Sequence, residues 1–534
     1  MQNLPFFLYV PQKPEFLNQN ISLTDKEKEI FNTITSILKS NNKTSTICRV
    51  AGGWVRDKLL GRESIDIDIA LSNMKGVDLA KMINDELYPS KDKVGLIHQN
   101  AEKGKHLETA TIRVCNVWID FVNLRSDNEN MIGTPLEDAE RRDITINSMF
   151  YNINENKIED FTKKGVNDLS NGIIRTPIEP IKTFKDDPLR VLRAIRFATK
   201  YEFMICPEIE ECLNKNIEYF QHAFSDIISR ERITKELTQI LEGHNPSSGI
   251  FLLHKYGLLS AILKCETFNQ STKKMNESQF ITSVEVFNTL NLFLCADYTA
   301  RHLLNDVKEI LCKDFEENSL YRKNMYYFFL VVEYRKYSLK AGKEPSPYYK
   351  VISKDILKLP NEDLKEIGVM TTNIDLLLRT VNSNEYLRLK IGQLLRNICF
   401  VNLFRMISCA IAYEYIETKH LVNSIIDSID MNIINSIIDK YKNFIVYCEK
   451  ENLLHIDEMK PLLDGEAIIN TLNMTPGKEI GVLIESLINK QIETPFLTHT
   501  DAIEFLKKKR EEIKGLFPAN INSNSKKKQK NKKK

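Results

Sequence analysis

From residue 46 to 175 the chain alternates short apolar runs with polar breaks; past Thr183 the apolar positions settle into a longer period. In the first stretch Thr46–Val50, Glu108–Val114, Val117–Leu124 and Ser148–Ile153 are strand candidates. Ile65–Leu71 alternates apolar and acidic residues as a half-buried strand does. A Gly52-Gly53 turn separates the first strand from a helical stretch, Val55–Leu60, and the polar Lys91–Lys105 segment with its two glycines predicts a mobile loop. Beyond Thr183 glycine and proline thin out and Ile and Leu recur every three or four residues. Ile425, Ile426, Ile429, Ile433, Ile434, Ile437 and Ile438 form one such stripe, which predicts helices packed through one face. Breaks near Glu344–Pro347 and Asp464–Gly477 suggest subdivision of the helical part. The pattern is that of an α+β chain: a mixed sheet with helices, then an all-helical remainder.

Length and composition add limits. A chain of 534 residues is too long for one ordinary core, so several domains are expected. The longest apolar run, Met325–Val332, is too short to span a bilayer, and the start of the chain lacks the pattern of a secretory or mitochondrial leader. An intracellular protein with no membrane contact is the expectation. The ten cysteines include no C-x-x-C pair and the nine histidines no H-x-x-x-H, so a metal would have to be held by carboxylates, which suits Mg²⁺ or Mn²⁺. The net charge of +2 does not announce nucleic acid. Seven lysines are crowded into Lys526–Lys534, however, behind the polar Asn520–Ser525. That end cannot bury apolar surface; it reads as a phosphate-attracting arm, a nuclear signal or a solubilising tail.

Five motifs carry candidate chemistry. Gly52 and Gly53, at a strand-to-helix junction, let backbone approach a ligand and aim N–H groups at phosphate, with Arg56 in the next helical turn as a possible clamp. Asp66 and Asp68 are two apart in a strand, so their carboxylates share a face and repel unless cations lie between them. Asp120 is a solitary acid in another apolar strand, able to complete a three-carboxylate cage or to guard a sheet edge. Arg141-Arg142-Asp143 suits phosphate and ribose contacts, or a surface ion pair. Asp187-Pro188 starts a helix on which Arg190, Arg193 and Arg196 spread over about 120° of one face, with Val191, Ala194, Ile195 and Ala198 opposite. Three such arginines need anions opposite them. Asp187 either caps the helix or joins Arg190 in presenting an acceptor and a donor fork to a base edge. Ser229-Arg230-Glu231-Arg232 starts another helix whose charges brace the first.

The ordered series GGWVRDKLLG, DIDIA, IDFVNLR, RRDITINSMFYN, DLSNGIIRTP, DDPLRVLRAIRFA and ISRERI resembles the CCA-adding tRNA nucleotidyltransferases, and within them the class II enzymes of the yeast- and plant-like type. The resemblance implies a polymerase-β-like nucleotidyltransferase head followed by an all-helical neck, body and tail. The boundaries it suggests are an N-terminal extension (1–45), head (46–180), base-recognising neck (181–265), body (266–440), tRNA-binding tail (441–517) and a disordered Lys-rich end (518–534). It implies that Asp66, Asp68 and Asp120 hold catalytic Mg²⁺. Gly52, Gly53 and Arg56 would take the triphosphate, and Arg142 and Asp143 the phosphate and ribose. Asp187 and Arg190 would read CTP and ATP, with Arg193 and Arg196 in support. The tRNA 3′ end is the implied partner, a monomer the implied state, and the cytoplasm or nucleus, with a mitochondrial pool, the implied location. Rivals are a poly(A) polymerase or CC-adding enzyme on the same head, and a non-catalytic tRNA-binding protein that keeps the fold.

Overall fold

A computed structural model describes residues 4–5, 11–64, 66–89, 93–97, 109–126, 132–243, 245–263, 319–336, 338–340, 345–383, 385–418 and 428–513. The head is a seven-stranded mixed sheet. Its strands are β1 (Cys48–Ala51), β2 (Ile67–Leu71), β3 (Gly95–Ile97), β4 (Thr109–Val114), β5 (Val117–Asn123), β6 (Phe150–Asn152) and β7 (Lys157–Glu159). They lie in the order β3-β4-β5-β2-β1-β6-β7. β2 and β5 are parallel, with Asp68 opposite Asp120; the other neighbours are antiparallel. The five expected strands are all present, each shorter by one to three residues, and the first ends one residue later than expected. Most of the expected Lys91–Lys105 loop lies outside the described residues; within it, Gly95–Ile97 pairs with β4 as an edge strand.

One face of the sheet is covered by α1 (Asp25–Ser40) and α3 (Gly76–Leu87). α1 has Ile30, Phe31, Ile34, Ile37 and Leu38 on one side, all buried, and begins with a capping box in which Thr24 and Glu27 satisfy each other's backbone N–H groups. The segment read from sequence as an extension before the head is thus part of the head's core. The join runs through Glu27. Its Oε1 accepts from Trp54 Nε1 at 3.0 Å, and its Oε2 lies 3.0 Å from Lys58 Nζ, both on α2 (Gly53–Leu59). α3 presses onto β5 where Gly76 begins it: a Cβ there would stand 2.6 Å from the Phe121 carbonyl oxygen.

The neck runs from α4 (Pro180–Asp186) and α5 (Arg190–Tyr201) to α6 (Arg230–Leu241) and α7 (Pro246–Lys255). Val191, Ala194, Ile195 and Ala198 of α5 are buried, as their spacing requires. Body helices Ser319–Val331, Asn361–Ser383, Phe400–Thr418 and Met431–Lys450 continue the same apolar core. Ile434 and Ile437 of the isoleucine stripe are buried in the last of these; Ile425 and Ile426 lie outside the described residues. That unbroken helix crosses the expected 440/441 boundary. A second core of Ile468, Leu472, Leu483, Leu487, Ala502 and Leu506 belongs to three helices between Gly465 and Ile513, so the tail begins nearer residue 460. The Lys-rich end lies outside the described residues. Among those described, no single helix is long and apolar enough to cross a membrane.

Replacing Glu27 by Ala leaves Trp54 Nε1 and buried Lys58 without their shared acceptor. A loss of about 2–4 kcal/mol is expected, read by urea unfolding followed at the Trp54 emission. A variant as stable as wild type would show that Glu27 does not join α1 to α2.

Candidate active site

The Gly-Gly turn, the Asp66/Asp68 strand and the arginine face of α5 open on one cleft of about 860 Å³ between head and neck. More than a hundred residues of sequence separate the first two motifs from the third; the structure makes them opposite walls.

At the head wall, Gly52 has φ +68°, a backbone state that favours glycine. A Cβ there would stand 2.6 Å from Arg142 Nη1 and 3.0 Å from the Asn147 carbonyl oxygen. The bare backbone at Gly52 therefore admits the protein's own guanidinium. Arg142 donates through Nε and Nη2 to Asp138 (3.0 and 2.8 Å) and through Nη1 to the Asn147 carbonyl (3.1 Å). Gly53 starts α2 and lines the cleft. Arg56, expected to grip a triphosphate, is buried with its fork committed. Nε and Nη2 donate to the two oxygens of Asp57 at 2.9 Å, Nη1 bonds Asn147 Oδ1, and the plane lies 5.0 Å from both the Phe197 and Tyr201 rings. It touches the cleft but serves as a joint between head and neck.

Asp66 and Asp68 line the cleft, with Asp120 beside Asp68 in strand register. Asp120 accepts a 2.5 Å bond from Thr111 Oγ1. Packing in the cleft floor, then the charges of Asp120 and, more weakly, Asp66, push the Asp68 carboxyl up to about 6, against a counter-pull from Arg142. Among the described residues no three His, Cys, Asp or Glu side chains form a ready-made metal cage. Even so, Asp66 and Asp68 line the cleft with Asp120 beside Asp68, and the donors are all hard oxygens. That set fits a hard divalent cation able to draw the carboxylates together.

The neck wall holds the four residues picked out on α5 and just before it. Asp187 stands ahead of the helix: Oδ1 accepts from the Leu189 N–H at 3.2 Å, while Oδ2 pairs with Arg232 Nη2 at 2.7 Å. The Ser229–Arg232 segment thus braces the helix, as its charges suggested. Arg190 pairs with Asp186 at 2.6 Å and donates to the Thr183 carbonyl at 3.1 Å. Arg196 donates to Glu236 Oε2 at 2.7 Å and lies 4.2 Å over Phe197. Arg193 spans the cleft, with Nε and Nη2 on Asp143 Oδ2 at 2.8 and 2.7 Å. The anions that three arginines require are therefore carboxylates of this chain. Burial opposes the Asp143 charge, but Arg193, Asn147 and the Ile144 N–H outweigh it and hold the carboxyl well below its usual range.

Arg125, Lys200 and Lys235 also line the cleft and were not singled out from sequence. Arg125 lies in the IDFVNLR motif, where its exposure to the cleft could not be read. Burial, with Arg142 and Arg190 nearby, pulls its guanidinium down to about 10 despite Asp138.

Because the folded state lowers the Asp143 pKa, its charge stabilises the fold above the pKa of an unfolded aspartate, about 3.9, and that share is lost as pH falls further. Asp143→Asn should cost about 3–5 kcal/mol at pH 7 by stranding Arg193, and the gap from wild type should narrow between pH 5 and pH 3. Urea midpoints at both pH values test this; an undiminished gap refutes it.

Residues 48–175 match the family described as Poly A polymerase head domain, and residues 208–266 the one described as probable RNA and SrmB-binding site of polymerase A. The mitochondrial CCA tRNA nucleotidyltransferase of Candida glabrata is 33% identical over 91% of this chain and 96% of its own length. The fold is similar to that of the Thermotoga maritima CCA-adding enzyme complexed with tRNA (TM-score 0.56, 19% identity, 91% of this chain and 96% of that one). The Bacillus stearothermophilus CCA-adding enzyme in complex with CTP gives a TM-score of 0.56 at 18% identity, covering 93% of this chain and all of that one. A likeness that runs nearly end to end with a tRNA nucleotidyltransferase goes beyond a shared head: the chain belongs to the CCA tRNA nucleotidyltransferase family.

Proposed function

We infer that the protein adds C, C and A to the 3′ end of tRNA from CTP and ATP, without a nucleic-acid template. The observation that carries this is the joining, in one cleft, of Asp66 and Asp68, with Asp120 beside Asp68 in register, and an acid–arginine pair suited to a base. The tRNA 3′-hydroxyl attacks the α-phosphate in line; the new bond is O3′–P, the broken bond joins that phosphorus to the bridging oxygen, and pyrophosphate leaves.

Asp66, Asp68 and Asp120 would hold Mg²⁺, which when bound supplies positive charge for the phosphoryl oxygens and lowers the hydroxyl's pKa. Gly53, at the start of α2, offers backbone to the triphosphate, and Arg142 and Asp143 set the walls around phosphate and ribose. Cytosine and adenine each present an exocyclic amine beside a bare ring nitrogen. Asp187 can accept from the first and Arg190 donate to the second, each giving up part of its present pairing with Arg232 and Asp186. Guanine and uracil present a carbonyl beside an N–H, which reverses both bonds. Arg193 and Arg196, fixed by Asp143 and Glu236, hold that helix face in place. The relative's mitochondrial name supports a mitochondrial pool.

Incubation with tRNA ending at the discriminator base should give CC with CTP alone and one CCA triplet with CTP plus ATP. An unbounded A tail would mean poly(A) synthesis instead. Asp68→Ala should abolish addition while still binding tRNA; full activity in that variant with Mg²⁺ present would sink the carboxylate assignment.

Asp187→Ala and Arg190→Ala should each relax discrimination against UTP and GTP by roughly 5- to 150-fold, the worth of a good bidentate base contact. Competition assays that find selection intact would remove both residues from the base-reading role.

A further inference from the structure

The chain has two tryptophans, and the structure treats them oppositely. Trp54 is 1% exposed in the head core; Trp118, on β5, is 60% exposed. Trp118 stands on the working face of the sheet. Along the β4–β5 hairpin Ala110, Ile112, Val114, Ile119 and Phe121 are buried under the helices, while Thr111, Arg113, Trp118 and Asp120 are on the other face. Register puts Thr111, Asp120 and Asp68 in one row across three strands, and Arg113 and Trp118 in the next. β2 begins at Ile67, opposite Ile119, so the hairpin overhangs it at this end. The residue before β2 is Asp66, and continuing the same register brings Asp66 alongside Trp118.

The overhang is well held. Cys115 and Asn116 form its two-residue turn with φ of 48° and 68°, the left-handed geometry that matches strand twist. Arg113 Nε donates to the Asn116 carbonyl at 3.1 Å, and Tyr88 Oη to the Arg113 carbonyl at 3.0 Å.

Sheet order divides the face. The Gly-Gly turn and Arg142 lie on the β1 side of Asp68, towards the arginines of α5; Trp118 and Arg113 lie on the opposite, β4–β5 side. In-line transfer requires attacking and leaving oxygens on opposite sides of the phosphorus. If the nucleotide occupies the arginine side, the attacking strand comes over β4–β5. An exposed indole with a guanidinium beside it matches what a single strand offers: a base face to stack and a phosphate to neutralise.

We propose that Trp118, with Arg113 beside it, is the platform on which a terminal base of the tRNA 3′ end stacks, so that the 3′-hydroxyl is presented beside Asp120 and Asp66. This rests on the tRNA-extending reading above. It makes Trp118 a positioning residue for the acceptor strand, with no part in choosing CTP or ATP.

The test uses the full-length protein. Buried Trp54 leaves Trp118 as the emitter that acrylamide reaches, so adding tRNA that lacks CCA should quench emission and shield it from acrylamide. Trp118→Ala should raise the KM for tRNA roughly 5- to 150-fold, the factor that loss of one stacked base costs, with a much smaller change in kcat and in the KM for CTP. Trp118→Phe, which keeps a ring, should recover most of that loss. A KM for tRNA in Trp118→Ala equal to wild type, or a Trp118 still open to acrylamide in the tRNA complex, overturns the proposal. If wild-type protein extends no tRNA, the functional reading itself fails. A short single-stranded RNA then decides the platform separately: shielding of Trp118 upholds it and its absence overturns it.

Discussion

The Asp143 carboxylate is buried where the head sheet meets the first long helix of the neck, and it stays charged there because Arg193 reaches across to it. Burial alone would favour the neutral acid; two guanidinium bonds and a backbone N–H reverse that. The pair ties residues fifty positions apart, on different layers, into a fixed relation. From Asp143 the contacts pass through Asn147 to Arg56, and from Arg56 through Asp57 to Tyr201. Head and neck are therefore joined twice, at either end of α5. The cleft between them takes its width from these joints.

Charge is sorted across that cleft. The floor carries Asp66 and Asp68, with Asp120 beside them, and burial followed by the neighbouring Asp120 charge raises the Asp68 carboxyl. The neck wall carries arginines balanced by Asp186, Asp143 and Glu236. An acidic floor facing a basic wall suits a metal–triphosphate ligand, whose cation end and anion end need opposite environments. The wall is balanced by the protein's own carboxylates, and under the proposed function only Asp187 and Arg190 would exchange partners to meet a base.

The strands and the helix bearing the arginines were legible in the sequence because each satisfies a local period. Ile67 and Ile69 alternate with Asp66 and Asp68; Val191, Ala194, Ile195 and Ala198 recur at helical spacing. The boundaries were read less well. α1 looked like an extension because amphipathicity says that a face is buried, not against what. The 440/441 division fell inside Met431–Lys450 because that helix has no glycine or proline to mark a change of core.

Among the site residues, sequence determined types and local faces. Asp66 and Asp68, two apart, share a side wherever the chain is extended, and the three arginines share a side of a helix, since backbone geometry alone dictates both. It could not determine partners. That Arg56 is locked between Phe197 and Tyr201, that Gly52 makes room for Arg142, and that Glu236 and Asp143 neutralise the arginine face all depend on contacts between segments 40 to 150 residues apart. Trp118 is the sharpest case. Its strand was evident, but which face of that strand meets the core and which meets the cleft is decided only when α1 and α3 cover one side of the sheet and leave the other open.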